Sequence, residues 1–137
     1  MKPRIIRITR IMETKDYIMQ SYRTEWHDCV NIVIMLYERP SGKQIGIIEV
    51  RAFRGDSPHK GEALLWNLSI DKAHRRKGLG QRLLHEAEEA ARREGSTVAA
   101  LEWSLHDSPR WVAFWYANKG YDEKEFSNVY ALMKKEL

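Results

Sequence analysis

Cysteine is nearly absent. Cys29 stands alone among 137 residues, so no internal disulfide can form and a metal site built on several thiolates lacks its ligands. Proline is scarce too, at four residues, and nothing in the chain resembles a Pro-rich linker. No apolar run approaches the roughly 20 residues that a membrane-spanning helix needs. The N-terminus Met1-Lys2-Pro3-Arg4 is basic, but Arg7 and Arg10 break up the apolar residues that follow, so no secretory leader is expected. There is no internal repeat and no low-complexity segment. These absences lead to one expectation: a single cytoplasmic domain over residues 1–137, without metal or membrane association.

What is present supports a packed core. The hydrophobic fraction is 43%, too high for a chain kept disordered by its composition. Residues 4–12 carry Ile5, Ile6, Ile8 and Ile11 and suit a first strand. Thr14 can cap a short helix in which Ile18, Tyr22 and Trp26 fall on one face, although the same stretch could also be a poorly alternating strand. Residues 30–38 and 44–53 are rich in β-branched side chains and flank Arg39-Pro40-Ser41-Gly42-Lys43, which predicts an antiparallel hairpin. Residues 62–70 form a further apolar strand. A strongly amphipathic helix then places Leu79, Leu83, Leu84, Ala87, Ala90 and Ala91 on one side, with Arg82, Glu86, Glu89 and Arg93 on the other. Gly95 ends it. Residues 97–105 give another strand, Ser108-Pro109 opens a second helix to about Asn118, and residues 121–136 supply two short strands around Ser127-Asn128. The fold class that follows is α/β, of the α+β type. Its sheet is mixed and mostly antiparallel, with a central parallel β-α-β unit and helices on both faces.

Chemistry concentrates between Ile70 and Gln81. Asp71-Lys72-Ala73-His74-Arg75-Arg76-Lys77-Gly78-Leu79-Gly80 joins an apolar strand to the amphipathic helix. Glycines at such a junction let the backbone turn and present its amides, and the helix N-terminus adds a partial positive charge. Arg75, Arg76 and Lys77 reinforce it. A pyrophosphate is the natural occupant. The segment is not a P-loop, because Gly-Lys-Ser/Thr is missing, and it lacks the third glycine of the dinucleotide fingerprint. The net charge of +4 and five tryptophans could suggest nucleic acid. The basic cluster is short and sits on this loop, while Trp66, Trp103, Trp111 and Trp115 fall on expected core elements, so no nucleic-acid partner is expected.

Arg75-x-x-Gly78-x-Gly80 resembles the Arg/Gln-x-x-Gly-x-Gly/Ala signature of Gcn5-related N-acetyltransferases, and Ile70-x-x-x-x-Arg75 resembles its lead-in, with Lys72 in place of the usual proline. Tyr116-Ala117-Asn118-Lys119-Gly120-Tyr121 is similar to the family's Tyr-x-x-x-Gly-Phe ending. Glu62-Ala63-x-x-x-Asn67 and Leu101-Glu102 look most like the ribosomal-protein N-terminal alanine acetyltransferases. The resemblance implies acetyl-coenzyme A as acyl donor and a primary amine, on a small molecule, peptide or protein, as acceptor. It implies that the backbones of Arg75, Arg76, Lys77, Gly78, Leu79, Gly80 and Gln81 hold the pyrophosphate, and that Leu68, Ser69 and Ile70 pair with the pantetheine arm. It offers Tyr116 as the acid that protonates the departing thiolate and Glu102 as the base that receives the amine's proton. Glu62 is the second candidate for that base and His106 the third.

Two departures from the family pattern stand out. Pro109 occupies the position, seven residues before Tyr116, where the family has an asparagine. About eighteen residues separate Ile11 from Val30, room for one helix where relatives have two. This shortened N-terminal helical region implies an open acceptor side, which a second subunit could complete as a homodimer. The competing reading is a non-catalytic acyl-coenzyme A-binding module that regulates a partner.

Overall fold

The computed structural model describes residues 4–104, 110–126 and 130–137. Eight strands form one sheet: β1 (Arg4–Glu13), β2 (Tyr17–Glu25), β3 (Cys29–Glu38), β4 (Gln44–Phe53), β5 (Glu62–Ile70), β6 (Val98–Ser104), β7 (Asp122–Phe126) and β8 (Tyr130–Glu136). Helix α1 (Leu79–Arg93) connects β5 to β6, and α2 (Arg110–Ala117) precedes β7. The spatial order is β1-β2-β3-β4-β5-β6-β8-β7, with β5 and β6 parallel and the other neighbours antiparallel. The mixed sheet with its central parallel β-α-β unit is the expected fold.

One element differs. Residues 17–25 are a strand, not the short helix suggested by Ile18, Tyr22 and Trp26. Those positions are four apart, which keeps to one face at a helical period of 3.6 and equally at a strand period of 2. Pairing decides between them. β2 lies in register with β1 on one side and along its whole length with β3 on the other, from Tyr17↔Glu38 to Glu25↔Val30. Thr14 caps a turn instead of a helix: its Oγ1 accepts the amides of Asp16 and Tyr17 at 3.2 and 3.0 Å.

The core lies between α1 and one face of the sheet. Val30, Ile32, Ile34 and Leu36 of β3, with Ile48 and Val50 of β4, are buried against Leu83, Leu84, Ala87 and Ala91 of α1. Burying one such aliphatic side chain contributes about 1.5–3 kcal/mol. Glu86, expected on the exposed side of α1, is buried and accepts from Arg82 Nε at 3.1 Å. Glu88 is buried as well. It accepts from the Tyr121 hydroxyl at 2.9 Å and from Lys135 Nζ at 3.0 Å, so its charge is paired where water is excluded. Tyr121 follows α2 directly, and Lys119 Nζ donates to Gln81 Oε1 at 3.2 Å. Both described helices therefore meet on this side. The opposite face carries Tyr22, Val33, Glu49 and Trp66. No helix among the described residues is long and apolar enough to cross a membrane.

Candidate active site

β5 runs into the basic loop. Its end is held by Asp71, whose amide donates to the Ile45 carbonyl at 2.7 Å, and by Gly46 of β4, where a Cβ would come within 2.8 Å of Ile70 Cδ1. A 3-10 turn, Lys72–His74, follows. His74 braces it, with Nε2 at 2.5 Å from a Glu38 carboxylate oxygen on β3 and Nδ1 at 3.2 Å from an Asp71 oxygen. Arg75 folds back, its Nε donating to the Ile70 carbonyl at 2.9 Å. The chain then takes positive φ at Arg76 (65°) and again at Gly78 (75°), which is the N-cap of α1.

This geometry leaves the helix start unsatisfied. Among the described residues no side chain caps α1, and no acidic residue stands in its first turn. After Arg75, whose amide donates to the Lys72 carbonyl at 3.4 Å, the next engaged amide is that of Arg82, which donates to the Gly78 carbonyl at 3.1 Å; the amides of Arg76, Lys77, Gly78, Leu79, Gly80 and Gln81 donate to no group among the described residues. A Cβ placed on Gly78 would meet nothing within 4 Å, so the space above the loop is open. Successive free amides, a helix dipole and the exposed Arg76 and Lys77 together give this loop the donors and positive charge that an anion needs.

Beside it the sheet splits. β5 and β6 pair through Glu62↔Val98, Ala63↔Ala99 and Leu64↔Ala100, and no further. Past that point β5 bulges. Asn67 adopts φ 59° and the register with β4 slips between Ile47↔Ser69 and Glu49↔Trp66. The edge of β5 facing β6, including Leu68, Ser69 and Ile70, is thus free of strand pairing and leads straight from the gap to the loop. Asn67 Nδ2 donates to Glu49 Oε2 at 2.9 Å. Sequence reasoning missed Glu49. It is the one acid inside β4, and nothing local indicates that a bulge two strands' width from its own hairpin partner would single it out.

The expected catalytic residues lie on different elements. Glu102 is exposed on β6, opposite Leu132 of β8, and faces away from α1. Extending the Leu64↔Ala100 register by two residues would set Trp66 against Glu102, so Glu102 stands across the split from Trp66. Tyr116 lies on α2. It packs partly buried against the core, edge-on to Trp115 at 5.1 Å and to Tyr121 at 5.8 Å between ring centroids. Burial raises its pKa above the ordinary phenol value and keeps the hydroxyl protonated. Glu62 begins β5 at the end away from the loop, about 26 Å along the strand from Ile70. It is bound to Lys134 Nζ at 2.7 Å, with His59 Nδ1 at 3.6 Å. His106 and Pro109 lie outside the described residues. A groove of about 380 Å³ between β1–β3 and the C-terminal half of α1 contains none of these groups.

Fold and site together define an α/β protein with a basic, amide-lined loop beside a split parallel strand pair. The profile of the Acetyltransferase (GNAT) domain matches residues 30–123, and the chain belongs to that family. Among solved structures it is similar to a proposed acyl-CoA N-acyltransferase from Klebsiella pneumoniae subsp. pneumoniae MGH 78578, at 26% identity over 77% of this chain and 72% of that one, with a TM-score of 0.60. It is similar in fold to the PaiA N-acetyltransferase from Thermoplasma acidophilum in complex with coenzyme A, at 23% identity, 77% and 61% coverage and a TM-score of 0.60. It also resembles in fold an acetyltransferase from Bacillus cereus ATCC 14579, at 20% identity, 81% and 76% coverage and a TM-score of 0.66. No curated protein matches the chain.

Proposed function

We propose that this protein is an N-acyltransferase that moves an acetyl group from acetyl-coenzyme A to a primary amine by direct attack within a ternary complex. The observation that carries the reading is the run of unengaged amides from Arg76 to Gln81 at an uncapped helix start, adjoining the unpaired edge of β5. The loop amides hold the pyrophosphate of the donor. The free edge of Leu68, Ser69 and Ile70 receives the pantetheine arm as an added strand. The thioester then lies in the gap between β5 and β6.

The residues flanking that gap divide the proton work. Glu102, exposed and free of a salt bridge among the described residues, takes a proton from the amine. The nitrogen forms its bond to the thioester carbonyl carbon and the carbon–sulfur bond breaks. Tyr116, kept protonated by burial, supplies the proton that the departing thiolate accepts. Glu62 is the weaker base, since Lys134 already holds its carboxylate.

The test is Gly78→Asp, which puts a carboxylate where the pyrophosphate approaches. Calorimetry is expected to show acetyl-coenzyme A affinity reduced tenfold or more, about 1.4 kcal/mol. Unchanged affinity in a folded variant refutes the site. Thiol release across a panel of primary amines tests turnover. Tight binding with no release on any amine identifies the non-catalytic acyl-coenzyme A-binding module instead.

A further inference from the structure

The face of the sheet away from α1 is organised around one carboxylate. Register places Tyr22 of β2, Val33 of β3, Glu49 of β4 and Trp66 of β5 in a single row, each about 4.8 Å from the next. The row ends at the split, with Glu102 on its far side. Glu49 is half-buried and has no cation within salt-bridge distance among the described residues. The nearest basic residue on its own strand, Arg51, is committed elsewhere: its Nε donates to Asn31 Oδ1 at 3.0 Å and its guanidinium covers the Trp66 ring at 5.2 Å. Among the described residues Glu49 accepts from the side-chain amide of Asn67, which fixes one oxygen at the bulge and leaves the other available. A half-buried carboxylate beside apolar and aromatic groups, one strand from the split, calls for a cation.

We infer that Glu49 docks the ammonium of the acceptor, and that the acceptor class is a monocationic primary amine on a flat apolar body, of the arylalkylamine kind. This rests on the acyl-transfer reading above. The charge comes from Glu49. The apolar body is met by this row and the next: Val33 and Trp66 flank Glu49 within it, and Met35 and Ile47 pair in the adjacent row on the same face. About 10 Å along the row, two strand spacings away, the surface closes in a self-satisfied polar pair. There the Tyr22 and Tyr37 hydroxyls share a 2.8 Å hydrogen bond, with Gln20 Nε2 on Tyr22 at 3.3 Å. Arg51, in the adjacent row, repels a second positive charge, so polyamines and polycationic amino sugars are disfavoured.

Phenethylamine, spermidine and 4-methoxyaniline, which is neutral at pH 7, serve as probes with acetyl-coenzyme A. Phenethylamine is expected to exceed spermidine at least tenfold in kcat/KM. Glu49→Gln keeps the Asn67 hydrogen bond and removes the charge. It is expected to raise KM for phenethylamine about tenfold, with kcat and acetyl-coenzyme A affinity within twofold of wild type, and to leave 4-methoxyaniline unaffected. Equal loss on the neutral amine, or no change on phenethylamine, overturns the inference while leaving the acyl-transfer reading intact. Calorimetric titration of phenethylamine into the protein–coenzyme A complex separates the two readings. Amine binding that disappears in Glu49→Gln, without thiol release in the wild type, upholds the docking site and refutes catalysis. Amine binding that is absent, or insensitive to Glu49→Gln, refutes the docking site.

Discussion

The two faces of this sheet are made by alternate residues of the same strands, and they do different work. Ile34 and Val33 are chain neighbours on β3. Ile34 is fully buried under α1 beside Ile48, whereas Val33 lies half-exposed between Tyr22 and Glu49. The helix face carries aliphatic side chains that α1 excludes from water. The opposite face mixes aromatic, acidic and basic groups, with Arg51, Asn31, Glu49 and Asn67 bonded to one another in pairs across strands. Stability is concentrated on one side, which leaves the other free to carry chemical groups that a packed core would reject.

The sharpest way to break this contrast is truncation of the two neighbours. Ile34→Ala is expected to lower unfolding free energy by about 2–5 kcal/mol, the cost of a cavity in a closed core. Val33→Ala is expected to cost about 1 kcal/mol or less, because a half-exposed site can fill with water. Denaturant titration of both variants checks this; equal losses would mean that the open face is packed as tightly as the other.

A second contrast separates the two sides of the gap. Tyr116→Phe and Glu102→Gln are each expected to lower kcat about 10²-fold, with acetyl-coenzyme A affinity unchanged by calorimetry. Their pH profiles should diverge. Burial raises the Tyr116 pKa, so any basic limb it causes begins above the ordinary phenol value of about 10. Glu102→Gln should leave that basic limb where it is. A Tyr116→Phe enzyme with full kcat assigns Tyr116 to packing.

The last contrast lies within the helix face itself. The Tyr121 hydroxyl donates to buried Glu88, which shares its charge with Lys135. Tyr121→Phe removes one donor and leaves the ion pair, so a loss of about 1.5–3 kcal/mol is expected. Loss below that range on chemical denaturation would show that Lys135 alone satisfies the carboxylate.

Much of this architecture is legible along the chain. The apolar stripe of α1 has a period of its own, and Gly95, at φ 89°, ends the helix where the stripe ends. The strand before Arg75-x-x-Gly78-x-Gly80 and the helix after it were readable from hydrophobic pattern, and the glycine at 78 from the turn it must make. Residues 17–25 were not, since Ile18 and Tyr22 satisfy both periods and pairing with β1 and β3 chose between them. Glu102 stood out as an acid on an apolar strand, yet that local view could not show which of its neighbours would be covered. The bulge at Asn67, which hands its side-chain amide to Glu49, left no mark at all on β4.

By itself the sequence determined the loop, the amphipathic helix, the apolar strands and the family signature, because each depends on residues within a turn or two of one another. Tertiary structure alone decided where β5 parts from β6, which face each acid occupies, and that Glu49 and Glu102 bracket Trp66. Those facts are matters of register between strands far apart in the chain, and a slip of one residue would send every side chain to the other face.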